Sequence, residues 1–389
     1  MINVCMIGCW FKYDIYSHHF NALIESMTNS PDLNINLVTS NCNCFSSSQI
    51  YSITKNELLN ENCKIIKIPY APLKANKNYG LFKYYVVKLL KLNYLFETTR
   101  GILFFWKARK ANIIHFDQVL RSFGILSFTT LLSFSRFFNK KVIITVHELD
   151  PLQEKYKGLT RYYNKATRIL VFSKEFKAEL IKLGVLENKI QVIPYAVTIP
   201  QIHSYNRDQF IFFGGHKLLQ GKGFDTLLQA LKILESKGKK INILIYVGNG
   251  CVGLEEGKKK VSNMGLDKYI IWSEFLYGES LSEAYQKSIA SLIPYTGGSG
   301  RYPMTTAMAN ETPVIGTIKA DIPEYLGELG IYLSEYSSYE LAENMIKLME
   351  DIKLRKLSGR KLRKRAEELF NSHVVSERIL EIYRDVMTN

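Results

Sequence analysis

Short apolar runs separated by polar stretches with helical patterning set the order of elements along this chain. The first half contains "INVCMIG", "LNINLVTS", "CKIIKIPY", "NIIHFD", "KVIITVHE", "RILVFS" and "KIQVIP", each a few residues long and rich in β-branched side chains. Helically periodic segments, among them Ser17 to Thr28 and Glu175 to Leu183, lie between many of them. Such alternation builds a parallel sheet covered by helices on both faces. The stretch "VIPYAVTIPQIHSYNRDQ" is polar, carries two prolines and breaks the periodicity. The pattern then restarts with "FIFFGG", "INILIYVG", "YIIWSE", "ASLIPY", "TPVIGT" and "GIYLSE". The expectation is α/β, two Rossmann-like doubly wound domains, 1–199 and 200–370, facing across a cleft. In open α/β sheets ligands sit beyond the carboxyl ends of the strands, so function is sought in the loops that follow them.

Composition agrees with this division. A chain of 389 residues exceeds what one core supports, and 47% hydrophobic residues suffice for two. The opening "MINVCMIGCWF" lacks a basic leader and reads as a first buried strand, and the long apolar stretch from Leu81 to Trp106 is broken by charges. A cytoplasmic location is expected. The six cysteines show no paired CxxC spacing and read as reduced core thiols.

A formal net charge of +15 implies an anionic partner. No zinc-finger, helix-turn-helix or RNA-binding aromatic motif is present, so nucleic acid is not that partner. Between Lys74 and Lys110, nine Lys or Arg face the single acid Glu97 and are interleaved with aromatic and aliphatic residues. That mixture suits either a solvated basic face of helices packed on the sheet or the headgroup region of an anionic membrane surface.

Two glycine-rich turns carry the candidate chemistry. In "FIFFGGHKLLQGKGFDTLLQALKIL" a strand is followed by Gly215, His216 and Lys217, then by "GKG" with Lys222, then by an amphipathic helix. Backbone N–H groups at a helix start favour an anion, and Lys222 adds a full charge. In "YTGGSGRYPMTTAMANETPVIGT" the glycines at 297, 298 and 300 allow close backbone approach. Arg301 offers a planar fork for phosphate oxygens. Pro303 fits a first helical position, with Thr305 and Thr306 in the first turn. A plain turn whose threonines cap the helix is the competing reading of this loop. In the first half, His147 ends an apolar strand in "VIITVHELDPL", where it reads equally as structural or as a substrate contact. "SHHF" opens a helix after the first strand and points His18 or His19 towards the cleft, whereas His115 reads as a packed residue.

Taken in order, these segments resemble the retaining glycosyltransferases of family 4, which have the GT-B architecture. The resemblance rests on "GGHKLLQGKGFDTLLQAL", "ILIYVGNG", "AMANETPVIGT", "ATRILVFSKEFKAELIKLGVLENKIQVIP" and the terminal "FNSHVVSERILEIYRDV". It implies a nucleotide-sugar donor on the second domain, at Gly215, His216, Lys217, Lys222, Gly248, Gly298, Ser299, Gly300, Arg301, Thr305 and Thr306. It places the acceptor on the first domain and His147 beside the transferring sugar; the basic aromatic stretch points to a glycan or lipid-linked acceptor, with His18 and His19 on its side. A final helix, 371–389, would return to the first domain. No cofactor is implied beyond the nucleotide-diphosphate sugar as co-substrate, and no metal. The chain also departs from the family. His216 stands where the family has arginine, Tyr195-Ala196 replace Asn-Gly, and the two glutamates of the Glu-x7-Glu motif fall at Gly298 and Thr306. A divergent active transferase and an inactive pseudo-enzyme serving a partner are the two readings these departures leave open.

Overall fold

A computed structural model of the chain describes residues 1–7, 15–41, 63–69, 92–117, 125–147, 160–214, 218, 221–246, 251, 253–273, 276, 278–297, 299–334 and 336–388. Two compact units emerge. The first comprises Met1–Lys12, Leu23–Ile193 and Ser376–Asn389, and the second Tyr13–Ala22 and Pro194–Val375.

In the first unit seven strands form one sheet among the described residues. They are β1 (Ile2–Ile7), β2 (Leu33–Asn41), β3 (Cys63–Pro69), β4 (Ile113–Asp117), β5 (Lys141–Thr145), β6 (Arg168–Val171) and β7 (Ile190–Val192). Their spatial order is β3-β2-β1-β4-β5-β6-β7, and each neighbouring pair is parallel. Because helices cover the sheet, its central strands are apolar on both faces. Every residue of β4 is buried, and so are four of the five in β5. Helices Leu92–Ala108 and Ile125–Phe137 lead into β4 and β5. They approach closely at Gly101, where a Cβ would stand 2.6 Å from the Ser127 carbonyl oxygen.

The second unit repeats the plan with β8 (Phe210–Gly214), β9 (Ile243–Tyr246), β10 (Ile270–Ser273), β11 (Ser288–Ile293), β12 (Val314–Thr317) and β13 (Ile331–Leu333). Here the order is β10-β9-β8-β11-β12-β13. All pairs again run parallel. The helix Phe224–Ser236 buries Phe224, Leu227, Leu228, Leu231 and Leu234 on one stripe, at the i, i+3, i+4, i+7 spacing that marks it in the sequence.

In both sheets the strand order reverses once, between β1 and β4 and between β8 and β11. A doubly wound sheet forms a crevice beyond the strand ends at that point, because the helices that follow the two central strands pack on opposite faces. Lys222 and the glycine turn before Arg301 lie in the loops after β8 and β11, and His147 follows β5. The α/β class and the parallel, helix-covered sheets expected from the strand pattern are therefore the observed ones.

Candidate functional site

In the second unit, the loops after β8 and β11 meet. The "GKG" turn and the "TGGSG" turn are 70 or more residues apart in sequence, yet the Thr296 and Gly297 N–H groups both donate to the Gly221 carbonyl, at 3.0 and 3.2 Å. Gly221 and Gly223 have φ of +66° and +71°, a conformation L side chains rarely adopt. At Gly223 a Cβ would also lie 2.0 Å from the Pro294 carbonyl oxygen, so glycine is the residue that lets these strand ends touch. Between the two glycines Lys222 places its ammonium 3.8 Å from the centroid of the Tyr295 ring. The Tyr295 hydroxyl in turn donates to the Gly214 carbonyl at the end of β8, at 3.0 Å. Burial pushes that phenol well above its ordinary range, so it stays neutral.

Each loop runs directly into a helix. Gly223 caps Phe224–Ser236, and Gly300 caps Arg301–Ala309, whose first intrahelical bond runs from the Met304 N–H to the Gly300 carbonyl at 3.0 Å. Two helix N-termini, one lysine and glycine backbone thus gather at the switch point of the sheet. This environment suits an anion with several oxygens.

The helix after β11 begins two residues earlier than Pro303 predicts. Pro303 is its third residue, which is tolerated because the first four N–H groups of a helix have no internal acceptor. Thr305 and Thr306 consequently fall in the second turn. Both are buried, and their hydroxyls donate to the carbonyls four residues back, Arg301 at 3.0 Å and Tyr302 at 2.7 Å. Arg301 is buried as well and pairs through Nε with Asp321, on the loop after β12. A carboxylate therefore does stand beside this loop, supplied from 20 residues downstream. Ser299 is half-buried beside Gly300. Gly215, His216, Lys217, Gly248 and Gly298 lie outside the described residues.

In the first unit, His147 follows β5 and is 1% exposed. Its Nε2 donates to Asp117 Oδ1 at 2.6 Å, which sets the ring orientation, and its edge packs on Phe172 at 4.9 Å. Asp117 ends β4 and pairs in register with Thr145 on β5. His115, two residues before Asp117, sits between the Tyr383 hydroxyl at 2.6 Å and Thr145 Oγ1 at 2.7 Å. A neutral imidazole has one donor and one acceptor nitrogen, and two hydroxyls satisfy both. Burial holds His115 down to about 4, with Asp117 opposing that shift and His147 adding to it.

The two histidines of "SHHF" lie on the helix Ile15–Met27. His19 is buried in the second unit, where its Nδ1 accepts from the Ala196 N–H at 2.7 Å and its ring lies 4.4 Å from that of Tyr195. Tyr195 and Ala196, the positions that depart from Asn-Gly, thus hold His19 in place. Sequence reasoning missed Asp117, Tyr295 and Asp321. Asp117 has a visible signal, since it and His147 each close an apolar strand and adjacent strands place such residues side by side. Tyr295 and Asp321 have none, because their roles depend on which loops become neighbours. Among the described residues no group of three His, Cys, Asp or Glu is placed to hold a metal ion.

Comparison with known proteins agrees with this geometry. Residues 68–199 match the family described as Glycosyltransferase Family 4. Residues 207–351, which include both glycine turns, match the family described as Glycosyl transferases group 1. An uncharacterized glycosyltransferase of Methanocaldococcus jannaschii is 26% identical over 287 residues, 66% of this chain and 72% of that protein. The capsular polysaccharide biosynthesis glycosyltransferase CapM of Staphylococcus aureus is 23% identical over 248 residues, 56% of this chain and 61% of its own length. In three dimensions the chain is similar to Anabaena HepE, solved in complex with UDP and glucose. The TM-score is 0.73 at 12% identity, covering 99% of this chain and 100% of that one. The family matches fall on both units, and together with these relatives they support a glycosyltransferase of the family 4 type, built on the GT-B fold.

Proposed function

We propose that this protein transfers a sugar from a nucleotide-diphosphate sugar held on its second unit to a glycan or lipid-linked acceptor in surface polysaccharide or glycoconjugate assembly. One observation carries the reading: the loops after β8 and β11 meet through Gly221, each runs into a helix N-terminus, and Lys222 lies over Tyr295 at their junction. Such a cradle stabilises the charge that develops on a leaving diphosphate as the glycosidic bond to it breaks. Lys222, over the Tyr295 ring, is its lysine cation. Arg301, being ion-paired to Asp321, shapes the loop rather than meeting the phosphate as a lone charge. By the resemblance to family 4, His147, oriented by Asp117, is the first unit's residue for the transferring sugar. Retention of anomeric configuration follows from the resemblance to family 4. CapM, named for capsular polysaccharide biosynthesis, supports a surface-glycan product, and the UDP bound by HepE makes uridine diphosphate the first nucleotide to test.

The test is nucleoside-diphosphate release from a panel of nucleotide-sugars, with cell-envelope glycan or lipid-linked acceptor present, for the native chain and for Lys222→Ala. Release from one donor that depends on acceptor and is lost in the variant is the expected result. No release from any donor would favour a GT-B chain retained as the inactive partner of another protein.

A further inference from the structure

Five large apolar side chains are exposed close together at one end of the first unit. Ile102, Leu103 and Trp106 lie on the outer stripe of the helix Leu92–Ala108, and Phe137 and Phe138 end the neighbouring helix Ile125–Phe137. Trp106 is 57% exposed and Phe137 84%. The two helices are joined here, since Phe105 stacks on Phe138 at 5.0 Å and Phe138 meets Phe137 at 5.1 Å. The cluster is ringed with cations. Arg109 lies over the Trp106 ring at 3.8 Å, and Lys110, Arg136, Lys140 and Lys141 lie at or between the ends of these helices and the starts of the strands they enter. Those connections, 109–112 and 136–141, contain no acid. At the start of β6, beside β5, Asp385 pairs with Arg168, and at the starts of β2 and β7 Asp32 pairs with Arg384 and Glu187 with Lys177, so each of these acids is already matched by a cation.

The position also matters. Both connections enter β4 and β5 at their amino ends, whereas Asp117 and His147 lie at the carboxyl ends of the same strands. The patch therefore lies at the far edge of the sheet from the residues assigned to chemistry, and the transfer reaction does not account for it.

The geometry points to an anionic bilayer surface as the partner of this patch. Exposed Trp, Phe, Leu and Ile enter the boundary between headgroups and acyl chains, and the surrounding Arg and Lys meet lipid phosphate. A second copy docked symmetrically on this patch would oppose its cations with identical cations, which disfavours that occupant. No helix among the described residues is long and apolar enough to cross a membrane, so the contact is peripheral. This inference stands independently of the donor site.

The experiment is co-sedimentation of the full chain with vesicles of phosphatidylcholine alone and of phosphatidylcholine mixed with phosphatidylglycerol. Binding to the anionic vesicles is expected. It should weaken by about 25-fold or more in R109E/K110E, since each basic residue near such a surface strengthens binding about fivefold. It should also weaken in W106A/F137A. Four results would overturn the proposal: no binding to anionic vesicles, equal binding to neutral ones, unchanged binding by W106A/F137A, or a dimer in sedimentation velocity that the same substitutions dissociate. The last would assign the patch to a second copy of the chain.

Discussion

The contact between the two glycine turns predicts unequal costs for two alanine substitutions at opposite ends of one helix. Gly223 caps the start of Phe224–Ser236 with φ +71°, and Gly238 follows its end with φ +69°. In that conformation alanine costs about 1–2 kcal/mol, partly offset by about 0.4–1 kcal/mol from a less flexible unfolded chain. Gly238→Ala meets nothing within 4 Å, so it carries only that difference, about 1 kcal/mol or less. Gly223→Ala adds a methyl 2.0 Å from the Pro294 carbonyl oxygen. That carbonyl cannot retreat cheaply, because Tyr295 is tied to Gly214 and the next two residues are tied to Gly221. Overpacking of this kind costs about 1–3 kcal/mol more. For a unit of this size each kcal/mol lowers the melting midpoint by about 2–4 °C. Calorimetry should therefore place Gly223→Ala about 2–12 °C below Gly238→Ala. The nucleotide-induced rise in midpoint should survive only in Gly238→Ala. Equal midpoints for the two variants would refute the contact between the turns.

Three further outcomes follow from the same geometry. Tyr295→Phe keeps the ring under Lys222 and loses only the bond to Gly214, whereas Tyr295→Leu removes the ring. Donor KM should rise about fivefold or more in the leucine variant relative to the phenylalanine variant, the ring contact contributing about 1 kcal/mol, and steady-state kinetics separates them. Asp321→Asn leaves Arg301 buried without its carboxylate and should cost about 3–5 kcal/mol in urea unfolding. Stability should also fall on acidification through His115. Its folded pKa, about 4, lies below its ordinary value of 6.5, so the unfolded chain binds the proton more readily. The contribution is present above about 6.5 and is lost as pH falls towards 4, by about 3 kcal/mol in all. Urea midpoints at pH 7 and pH 5 should differ less in His115→Gln than in the native chain.

The fold is legible in the sequence because each strand is an apolar run bounded by turn residues. "NIIHFD" and "ASLIPY" announce β4 and β11 without any knowledge of their neighbours. The loops are legible in part. Glycines, Lys222 and the following amphipathic helix identify the anion-suited turns, since those features are local. What escapes is pairing across the chain. Arg301 reads as a phosphate ligand until Asp321 is brought beside it, and Thr305 and Thr306 read as helix-start donors until the helix begins at Arg301. His19 reads as an acceptor contact, and the structure gives it to Ala196 and Tyr195. In each case a polar group that looks available in sequence has a partner more than three residues away.

The central claim is that the cradle joining the loops after β8 and β11 binds the diphosphate of a nucleotide donor through Lys222. Isothermal titration of UDP, and then of other nucleoside diphosphates, into the native chain and Lys222→Ala tests it most directly. The account predicts saturable binding of one nucleotide to the native chain that weakens at least about tenfold in the variant, as the loss of a charge-assisted contact requires. Equal affinity in the two chains would contradict it.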